Sequence, residues 1–261
     1  MPYETLDLRE EGAVAWLTLN RPDSLNALNP TLVTELRDFF GSLPQRNDLR
    51  VVVLRGAGRA FCAGLDLKEP GSGDGSADST LRGQRRISEI AIQMRRCPQP
   101  IIACIQGAAA GGGFALALAS DVRLAGESAR MNAAFIKLGL SACDVGVSYL
   151  LPRLIGASVA YELMLTGRFI HADRALATGL VSTVVPDERL EEEARALADE
   201  MILTSPLGLQ LTKECLNASL DAGSLEAAIA MEDRNQAFCA QSGDVREGIA
   251  AFLQKRRPRW A

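Results

Sequence analysis

The chain has 261 residues, enough for one domain with a full hydrophobic core, with or without a small appendage. Hydrophobic residues make up 48% of it and charged residues 23%, which is typical of a globular protein. The formal net charge of −4 argues against nucleic acid as a partner, because contacts to phosphates need a basic face.

The N-terminal segment and the cysteines indicate the cellular compartment. Residues 1–9 alternate polar and apolar side chains, unlike the charged and then apolar pattern of a signal peptide. The six cysteines have no paired spacing and there is one histidine, so we expect mostly buried thiols and no metal site. Residues 101–120 are nearly long enough to span a bilayer, but their glutamine and three glycines favour a core element. We therefore expect a cytoplasmic protein without a membrane partner.

In the first hundred residues, predicted strands and helices alternate. Residues 3–9 and 14–19 are predicted to form a β-hairpin around Glu11 and Gly12. Asn29 and Pro30 are typical of a helix start, and they precede a predicted helix at 31–40. A strand at 51–54, a flexible polar loop at 69–78 and a helix at 81–96 are then predicted. Such alternation favours parallel strand pairing in an α/β fold.

A glycine turn follows the next buried strand. Residues 101–105 are apolar and rich in β-branched side chains, as in a buried strand. Three glycines, Gly111 to Gly113, then precede a run of small residues suited to a packed helix. The first turn of a helix has N–H groups without intrahelical partners, and glycine lets a ligand approach them closely. A developing negative charge would be stabilised there, although close packing of the helix on the strand is an alternative reason for the glycines.

The remainder of the chain changes character near residue 200. Short strands are predicted at 122–125, 129–131 and 180–185, with a loop and a helix start at 137–148. Helices are predicted at 161–166, 172–178 and 187–203, and from residue 207 onward only helices follow, at 207–220, 224–240 and 244–255. We therefore predict a core at residues 1–200 and a C-terminal helical region at residues 201–261. The sequence contains no evident internal repeat.

Several segments together resemble the crotonase superfamily, the enoyl-CoA hydratase/isomerase family. They include L-N-R-P-D-S-L-N-A-L at 19–28, A-F-C-A-G-L-D-L at 60–67, the glycine triplet with A-S-D at 119–121, and L-P-R-L-I-G at 151–156. The resemblance extends over almost the whole chain. It implies an α/β spiral of ββα units with a C-terminal helical region, a homotrimer or a dimer of trimers, and an acyl-CoA substrate in fatty acid or related metabolism. Coenzyme A would enter as part of the substrate, with no separate cofactor.

The resemblance also implies a set of site residues. The backbone N–H groups of Leu65 and Gly112 would hold the thioester oxygen. Arg21 would lie near the nucleotide, although a solvated surface charge is the alternative. Phe252 and Lys255 would reach the ligand of a neighbouring subunit, unless they are a helix-packing residue and a surface charge. The other expected substrate-binding residues are Ala60, Cys62 and Ala63 around the adenine, together with Gly64, Asp66, Leu67, Gly111 and Phe135.

The two glutamates that activate water in typical hydratases of this family are absent. Their positions correspond to Ala115 and Phe135. Asp144 lies in a loop, at 139–146, that resembles the aspartate loop of dienoyl-CoA isomerases and of the related aryl-CoA dehalogenase once one residue is inserted. It could move a proton between the α and γ carbons of an enoyl thioester. Alternatively, it caps a helix starting near Val145.

The expected function is therefore an acyl-CoA enzyme that isomerises or hydrates enoyl-CoA, with Asp144 as acid and base. Thioester hydrolysis, other enolate chemistry and a non-catalytic acyl-CoA binding protein remain alternatives.

Overall fold

The computed structural model describes residues 3–69 and 74–260. The strands are β1 (Leu6–Glu11), β2 (Val14–Leu19), β3 (Val51–Gly56), β4 (Ile101–Ile105), β5 (Ala108–Ala110), β6 (Val122–Gly126), β7 (Arg130–Asn132), β8 (Ile170–His171) and β9 (Thr183–Val185). The helices are α1 (Pro30–Ser42), α2 (Ala77–Arg96), α3 (Gly112–Ala119), α4 (Val147–Ile155), α5 (Ala157–Thr166), α6 (Ala172–Ala177), α7 (Leu190–Ile202), α8 (Pro206–Ser219), α9 (Leu225–Gln241) and α10 (Gly243–Leu253).

The strands form two sheets. The larger sheet has the order β1-β2-β3-β4-β6-β9, and the smaller has the order β5-β7-β8. The hairpin β1–β2 is antiparallel, while β2, β3, β4, β6 and β9 pair in parallel, as the sequence predicted. Strands β2 and β4 are buried along their whole length, as expected of strands covered on both faces.

The chain repeats one unit as it passes between the sheets. Strand β4 lies in the larger sheet, β5 in the smaller one, and α3 follows; β6, β7 and α4 repeat this course. Strand β3 begins a third such unit, because Cys62 forms a parallel bridge to Ala109 before the chain enters α2. The predicted spiral of ββα units is therefore confirmed. The units have the same order of strands and helix but different amino-acid sequences, so no repeat is visible in the sequence.

Three sequence expectations need correction. Strand β5 separates the buried strand from the glycine turn, although its three alanines carry no strand signal. Helix α4 begins at Val147, in agreement with the helix start predicted at 137–148, but it continues to Ile155, where the sequence predicted no element. The strand predicted at 180–185 is limited to Thr183–Val185, because Leu180 and Val181 instead hydrogen-bond the end of α6 through Ala175 O.

The loop predicted at residues 69–78 falls partly outside the described residues, at 70–73. Its last part is helical, because α2 already begins at Ala77, where the Ser76 side chain accepts a hydrogen bond from Ser79 N. Asn29 accepts a hydrogen bond from Leu32 N, which confirms the predicted cap of α1.

The C-terminal helices are joined to the core by a buried ion pair. Lys213 of α8 lies 2.8 Å from Asp121 Oδ2 and donates to Met94 O at 2.9 Å and Gln99 O at 2.8 Å. Beyond α8, several large apolar side chains are exposed, namely Leu225, Phe238, Ile249, Phe252 and Leu253. The boundary near residue 200 remains a prediction. No helix in the described part of the chain is long and apolar enough to cross a membrane.

The expectation that the cysteines are mostly buried is only half right. Cys62, Cys97 and Cys104 are buried, but Cys143 is exposed and the remaining two are partly exposed. The exposed and partly exposed thiols lie on the loop before α4 and on helices α8 and α9.

Candidate active site

The segment after β3 lies directly against the strand that leads into the glycine turn. Cys62 N donates to Ala108 O, and Ala110 N donates to Cys62 O, both at 3.0 Å. This short parallel pairing aligns residues 60–66 with β5, which ends one residue before Gly111. Two loops that are almost fifty residues apart in sequence therefore meet at the N-terminus of α3.

Two backbone donors at this junction lack acceptors among the described residues. On either side of Leu65, Leu28 N donates to Gly64 O at 2.7 Å and Asp66 N donates to Leu28 O at 3.0 Å. Leu65 N itself makes no such bond. Gly112 is the first residue of α3, and its N–H has no partner in the described chain either. Both N–H groups are therefore left without an acceptor in the described chain.

The glycines allow the two loops to approach each other. A Cβ added to Gly113 would lie 2.1 Å from Cys62 O, and a Cβ added to Gly64 would lie 2.7 Å from Ala110 O and 3.5 Å from Gly112 N. Gly64 also has a φ of +97°, which disfavours any residue with a side chain. The alternative of close packing is therefore confirmed, and stabilisation of a negative charge at the glycine turn stays a prediction.

Helix α3 is stabilised at its far end by a buried guanidinium. Arg123 donates from Nη1 to Ser120 O at 2.6 Å and from Nε to Leu180 O at 2.8 Å, with longer contacts to carbonyls of the last turn of α3. Burial lowers its pKa to about 10. A cation at the C-terminal end of a helix interacts favourably with the helix dipole, so Arg123 stabilises the helix that carries Gly112. Sequence reasoning missed this residue, since an arginine in a strand carries no such signal.

Arg21 is directed inward, at the loop that carries Leu65. Its Nη1 lies 2.6 Å from Ala27 O and 2.8 Å from Asp66 Oδ2, and its Nη2 lies 3.4 Å from Glu69 Oε1. Its side chain is only 13% exposed, so the alternative of a solvated surface charge is wrong. Asp66 also accepts hydrogen bonds from Lys68 N and Glu69 N. The Arg21 guanidinium is the main cause that lowers the pKa of the Asp66 carboxyl.

Asn26 is a second residue that sequence reasoning missed. It is fully buried, and its Nδ2 donates to Ala57 O at 2.9 Å and Ala60 O at 2.8 Å. Its Oδ1 accepts from Arg21 N at 2.9 Å, and its φ of +56° lies in the left-handed region. Asparagine adopts positive φ more readily than most residues with a side chain. Its presence within the motif L-N-A-L could therefore have indicated a structural role for Asn26.

The backbone expected around the adenine, at residues 60–63, has three of its four donors already engaged. Phe61 N, Cys62 N and Ala63 N donate to Gln106 O, Ala108 O and Leu25 O, at 2.8–3.0 Å. Ala60 O and Cys62 O also accept hydrogen bonds, so only the Ala60 N–H and the carbonyls of Phe61 and Ala63 make no hydrogen bond within the described chain. The thiol of Cys62 is buried, and burial raises its pKa to about 12, so a thiolate nucleophile is not formed near neutral pH.

Ala115 and Phe135 occupy apolar surroundings. Ala115 is fully buried in α3, and Phe135 is buried close to the glycine turn, where its Cε1 lies 3.5 Å from a Cβ built on Gly111. Neither carries an acid or base. The glycine turn is therefore packed on one side against the aromatic ring of Phe135.

Asp144 is half-buried in the loop before α4. Burial raises the pKa of its carboxyl, while hydrogen bonds from Val145 N, at 2.8 Å, and Gln84 Nε2 lower it. Helix α4 begins at Val147 with Gly146 as its N-cap and without a side-chain cap. The alternative that Asp144 merely caps this helix is therefore wrong.

A cavity of about 380 Å³ connects Leu65 to α2. Its apolar lining comes from Leu28, Val33, Leu65 and Ile87, and its polar lining includes Asn29, Glu69, Gln84 and Arg86. Gln84 therefore belongs both to this cavity and to the contact with Asp144. Leu67 is exposed beside the same loop. The cavity has the apolar and polar mixture of a small-molecule site.

The C-terminal residues expected to contact a ligand lie outside the core. Phe252 is 83% exposed, so it does not pack within its own chain. Lys255 follows the end of α10 with a φ of +50° and is also exposed. Their contact with a neighbouring subunit's ligand stays a prediction.

Comparisons with known proteins agree with this architecture. The family model for Enoyl-CoA hydratase/isomerase matches residues 9–261. A Mycobacterium tuberculosis relative named "Probable enoyl-CoA hydratase EchA12" is 41% identical over 251 residues, covering 94% of this chain and 88% of its own. The 1,2-epoxyphenylacetyl-CoA isomerase of Escherichia coli is 36% identical over 252 residues, covering 96% and 95%. The crystal structure of enoyl-CoA hydratase from Bacillus anthracis matches with a TM-score of 0.93 at 34% identity, covering 98% and 99%.

Proposed function

Because the chain belongs to the enoyl-CoA hydratase/isomerase family of enzymes, we propose that it isomerises a double bond in an enoyl-CoA, with Asp144 as acid and base. The observation that carries the proposal is the pair of unengaged N–H groups of Leu65 and Gly112, in a site whose cavity reaches the residue that contacts Asp144. No reactive cofactor is needed, since coenzyme A arrives with the substrate.

The two N–H groups would stabilise the charge that forms on the thioester oxygen. Removing a proton from the substrate places negative charge on that oxygen, and preorganised donors lower the energy of this state. The N-terminus of α3 adds the positive end of its dipole at Gly112. The loss of one such donor typically costs about 10²- to 10³-fold in rate.

Asp144 would carry the proton. Its carboxylate removes a proton from the γ-carbon of a 2-enoyl thioester, and the electron pair moves toward the thioester oxygen to give a dienolate. The protonated Asp144 then returns the proton to the α-carbon, which leaves a 3-enoyl thioester and the original carboxylate. Burial raises the pKa of this carboxyl, which makes its ionised form a stronger base.

Isomerisation is favoured over hydration by what surrounds the glycine turn. Hydration needs groups that position and activate a water molecule, and the corresponding positions hold Ala115 and Phe135, both apolar and buried. The Escherichia coli relative is named an isomerase of an epoxide, whereas the other two proteins compared above are named hydratases. Hydration is therefore the second candidate, on the strength of these names.

Coenzyme A would bind along residues 60–67, on a loop that Arg21 holds in place through its contact with Asp66. A homotrimer or a dimer of trimers would cover the apolar side chains exposed on α9 and α10 and would bring Phe252 and Lys255 to a neighbouring site. Burial of such a surface is a common driving force for oligomer formation.

The test follows 2-enoyl-, 3-enoyl- and 3,5-dienoyl-CoA esters by NMR in D₂O, with the wild-type protein and the Asp144→Asn variant. We expect double-bond migration with deuterium incorporation in the wild type and its loss in the variant. Ester binding should remain, because the N–H donors are unchanged. Asp199→Asn is the matched control, since Asp199 is an exposed carboxylate on α7.

Three outcomes would contradict the proposal. Water addition that persists in Asp144→Asn would identify a hydratase that uses other groups. Esters that bind but stay unchanged, with no deuterium exchange, would indicate a binding protein. Release of free coenzyme A would instead favour thioester hydrolysis.

A further inference from the structure

Gln84 joins the helix that lines the cavity to the carboxylate before α4. It lies in the second turn of α2, is half-buried, and contributes to the lining of the cavity beside Leu65. Its Nε2 donates a hydrogen bond to Asp144 Oδ1, sixty residues away in sequence. The contact therefore joins a residue that lines the cavity to the loop before α4.

The two oxygens of the Asp144 carboxylate have different surroundings. Oδ1 accepts hydrogen bonds from both Gln84 Nε2 and Val145 N, whereas Oδ2 accepts none from the described residues. Two donors on one oxygen restrict rotation of the carboxylate and leave the other oxygen for proton transfer. Val145 has a φ of +45°, which is rare for a β-branched residue, so the local backbone is held in an unusual conformation.

We infer that Gln84 is a positioning residue, which orients the Asp144 carboxylate toward the substrate through its hydrogen bond to Oδ1. The inference rests on the proposed role of Asp144, and it gives Gln84, which lines the cavity, an indirect role in the reaction. A glutamine suits this task because its amide donates to a carboxylate without adding a charge that would neutralise the base. Misplacement of a catalytic group by about 1 Å can reduce a rate by about 10²-fold.

The hydrogen bond also has a consequence for the ionisation of Asp144. A donor to a carboxylate favours the ionised form, so Gln84 opposes the effect of burial. The charged side chains that line the cavity are Glu69 and Arg86, but no charged group of the described chain is among the causes that shift the Asp144 pKa. Removal of the Gln84 amide should therefore raise this pKa further.

The experiment compares Gln84→Met, which keeps the size and removes the donor, with Gln84→Glu, which brings a second carboxyl to Asp144. We expect Gln84→Met to lower kcat by about 10-fold or more with a smaller change in KM. The acidic limb of the kcat–pH profile should move to higher pH in Gln84→Met and further in Gln84→Glu, because a like charge disfavours ionisation of Asp144. Gln241→Leu, at an exposed position on α9, should behave as the wild type.

A double variant separates this inference from the proposed function. In an Asp144→Asn background, Gln84→Met should cause no further loss, because the residues act as a unit. Full activity in Asp144→Asn would overturn the proposed function itself. Loss in Asp144→Asn combined with an unchanged kcat and pH profile in Gln84→Met would overturn the positioning role alone.

A measurement without substrate covers the case of a variant too impaired for kinetics. Protein labelled with ¹³C at aspartate carboxyls gives the Asp144 titration directly, with Asp144→Asn identifying the signal. An Asp144 pKa that is higher in Gln84→Met than in the wild type supports the contact, and an identical titration overturns it.

Discussion

The guanidinium of Arg21 lies 2.8 Å from the carboxylate of Asp66, one residue beyond the Leu65 backbone donor. The pair is largely buried, and the same guanidinium contacts Ala27 O and the Glu69 carboxylate. Arg21 therefore determines where the loop 64–67 lies relative to the start of α1. The conformation of the proposed oxyanion site depends on an ion pair whose partners are 45 residues apart in sequence.

Replacing Arg21 should destabilise the protein and impair turnover. We expect Arg21→Met to lower the free energy of unfolding by roughly 3 kcal/mol, because it leaves a buried carboxylate without its partner. Turnover should fall as the loop that carries Leu65 shifts. Urea unfolding and initial rates measure both effects. Arg189→Met, which removes an exposed ion pair to Glu192, should change neither much, and an equal effect of the two substitutions would contradict the argument.

The same pair predicts a dependence of stability on pH. The Arg21 guanidinium holds the pKa of the Asp66 carboxyl below its ordinary value, so the folded state favours the ionised form. The resulting stability should be fully present above the unfolded-state pKa, about 4, and should be lost as the pH falls through the lower folded-state pKa. Unfolding by urea from pH 6 to pH 2 should show a weaker acid dependence in Asp66→Asn than in the wild type. Parallel curves would mean that the pair contributes nothing to acid sensitivity.

A methyl group at Gly113 should separate the two loops of the site. Its Cβ would lie 2.1 Å from Cys62 O and 2.7 Å from Cys62 Cβ, so the segment 60–66 must move away from α3. We expect Gly113→Ala to reduce turnover at least about 10²-fold, the effect of losing one oxyanion donor, and to lower the melting temperature.

The control for Gly113 is a helical glycine with free space around it. A Cβ at Gly243, the first residue of α10, meets nothing within 4 Å. Gly243→Ala should therefore leave turnover unchanged and alter stability by no more than about 1 kcal/mol. If Gly113→Ala were as active as Gly243→Ala, the close approach of the loops would not matter for function.

Arg123 should matter for α3 as a whole. Arg123→Met removes a buried donor from the carbonyl groups at the end of this helix, and we expect a loss of about 3 kcal/mol or more of unfolding free energy. Amide hydrogen exchange should quicken in 112–119 more than in β2 or β3. Arg246→Met, at an exposed position, is the matched control. Equal rates of amide exchange at 112–119 in the two variants would show that Arg123 does not stabilise α3.

The sequence by itself determined the local elements and the family. The predicted hairpin of residues 3–9 and 14–19, the cap at Asn29 and the apolar runs at 51–54 and 101–105 each depend on neighbours a few residues away. Each was confirmed, although β1 runs from Leu6 to Glu11 and β2 is buried along its whole length. The candidate residues Leu65, Gly112 and Asp144 came from motifs, because the short segments that carry them resemble a known family.

Only the tertiary structure decided how these segments meet. The bridge from Cys62 to Ala109, the inward turn of Arg21 and the hydrogen bond from Gln84 to Asp144 join residues 45 or more positions apart. Local propensity carries no information about such contacts, since they depend on which strands pair and which faces of helices are covered. For the same reason, strand β5 became visible only when its partners β7 and Cys62 were in place.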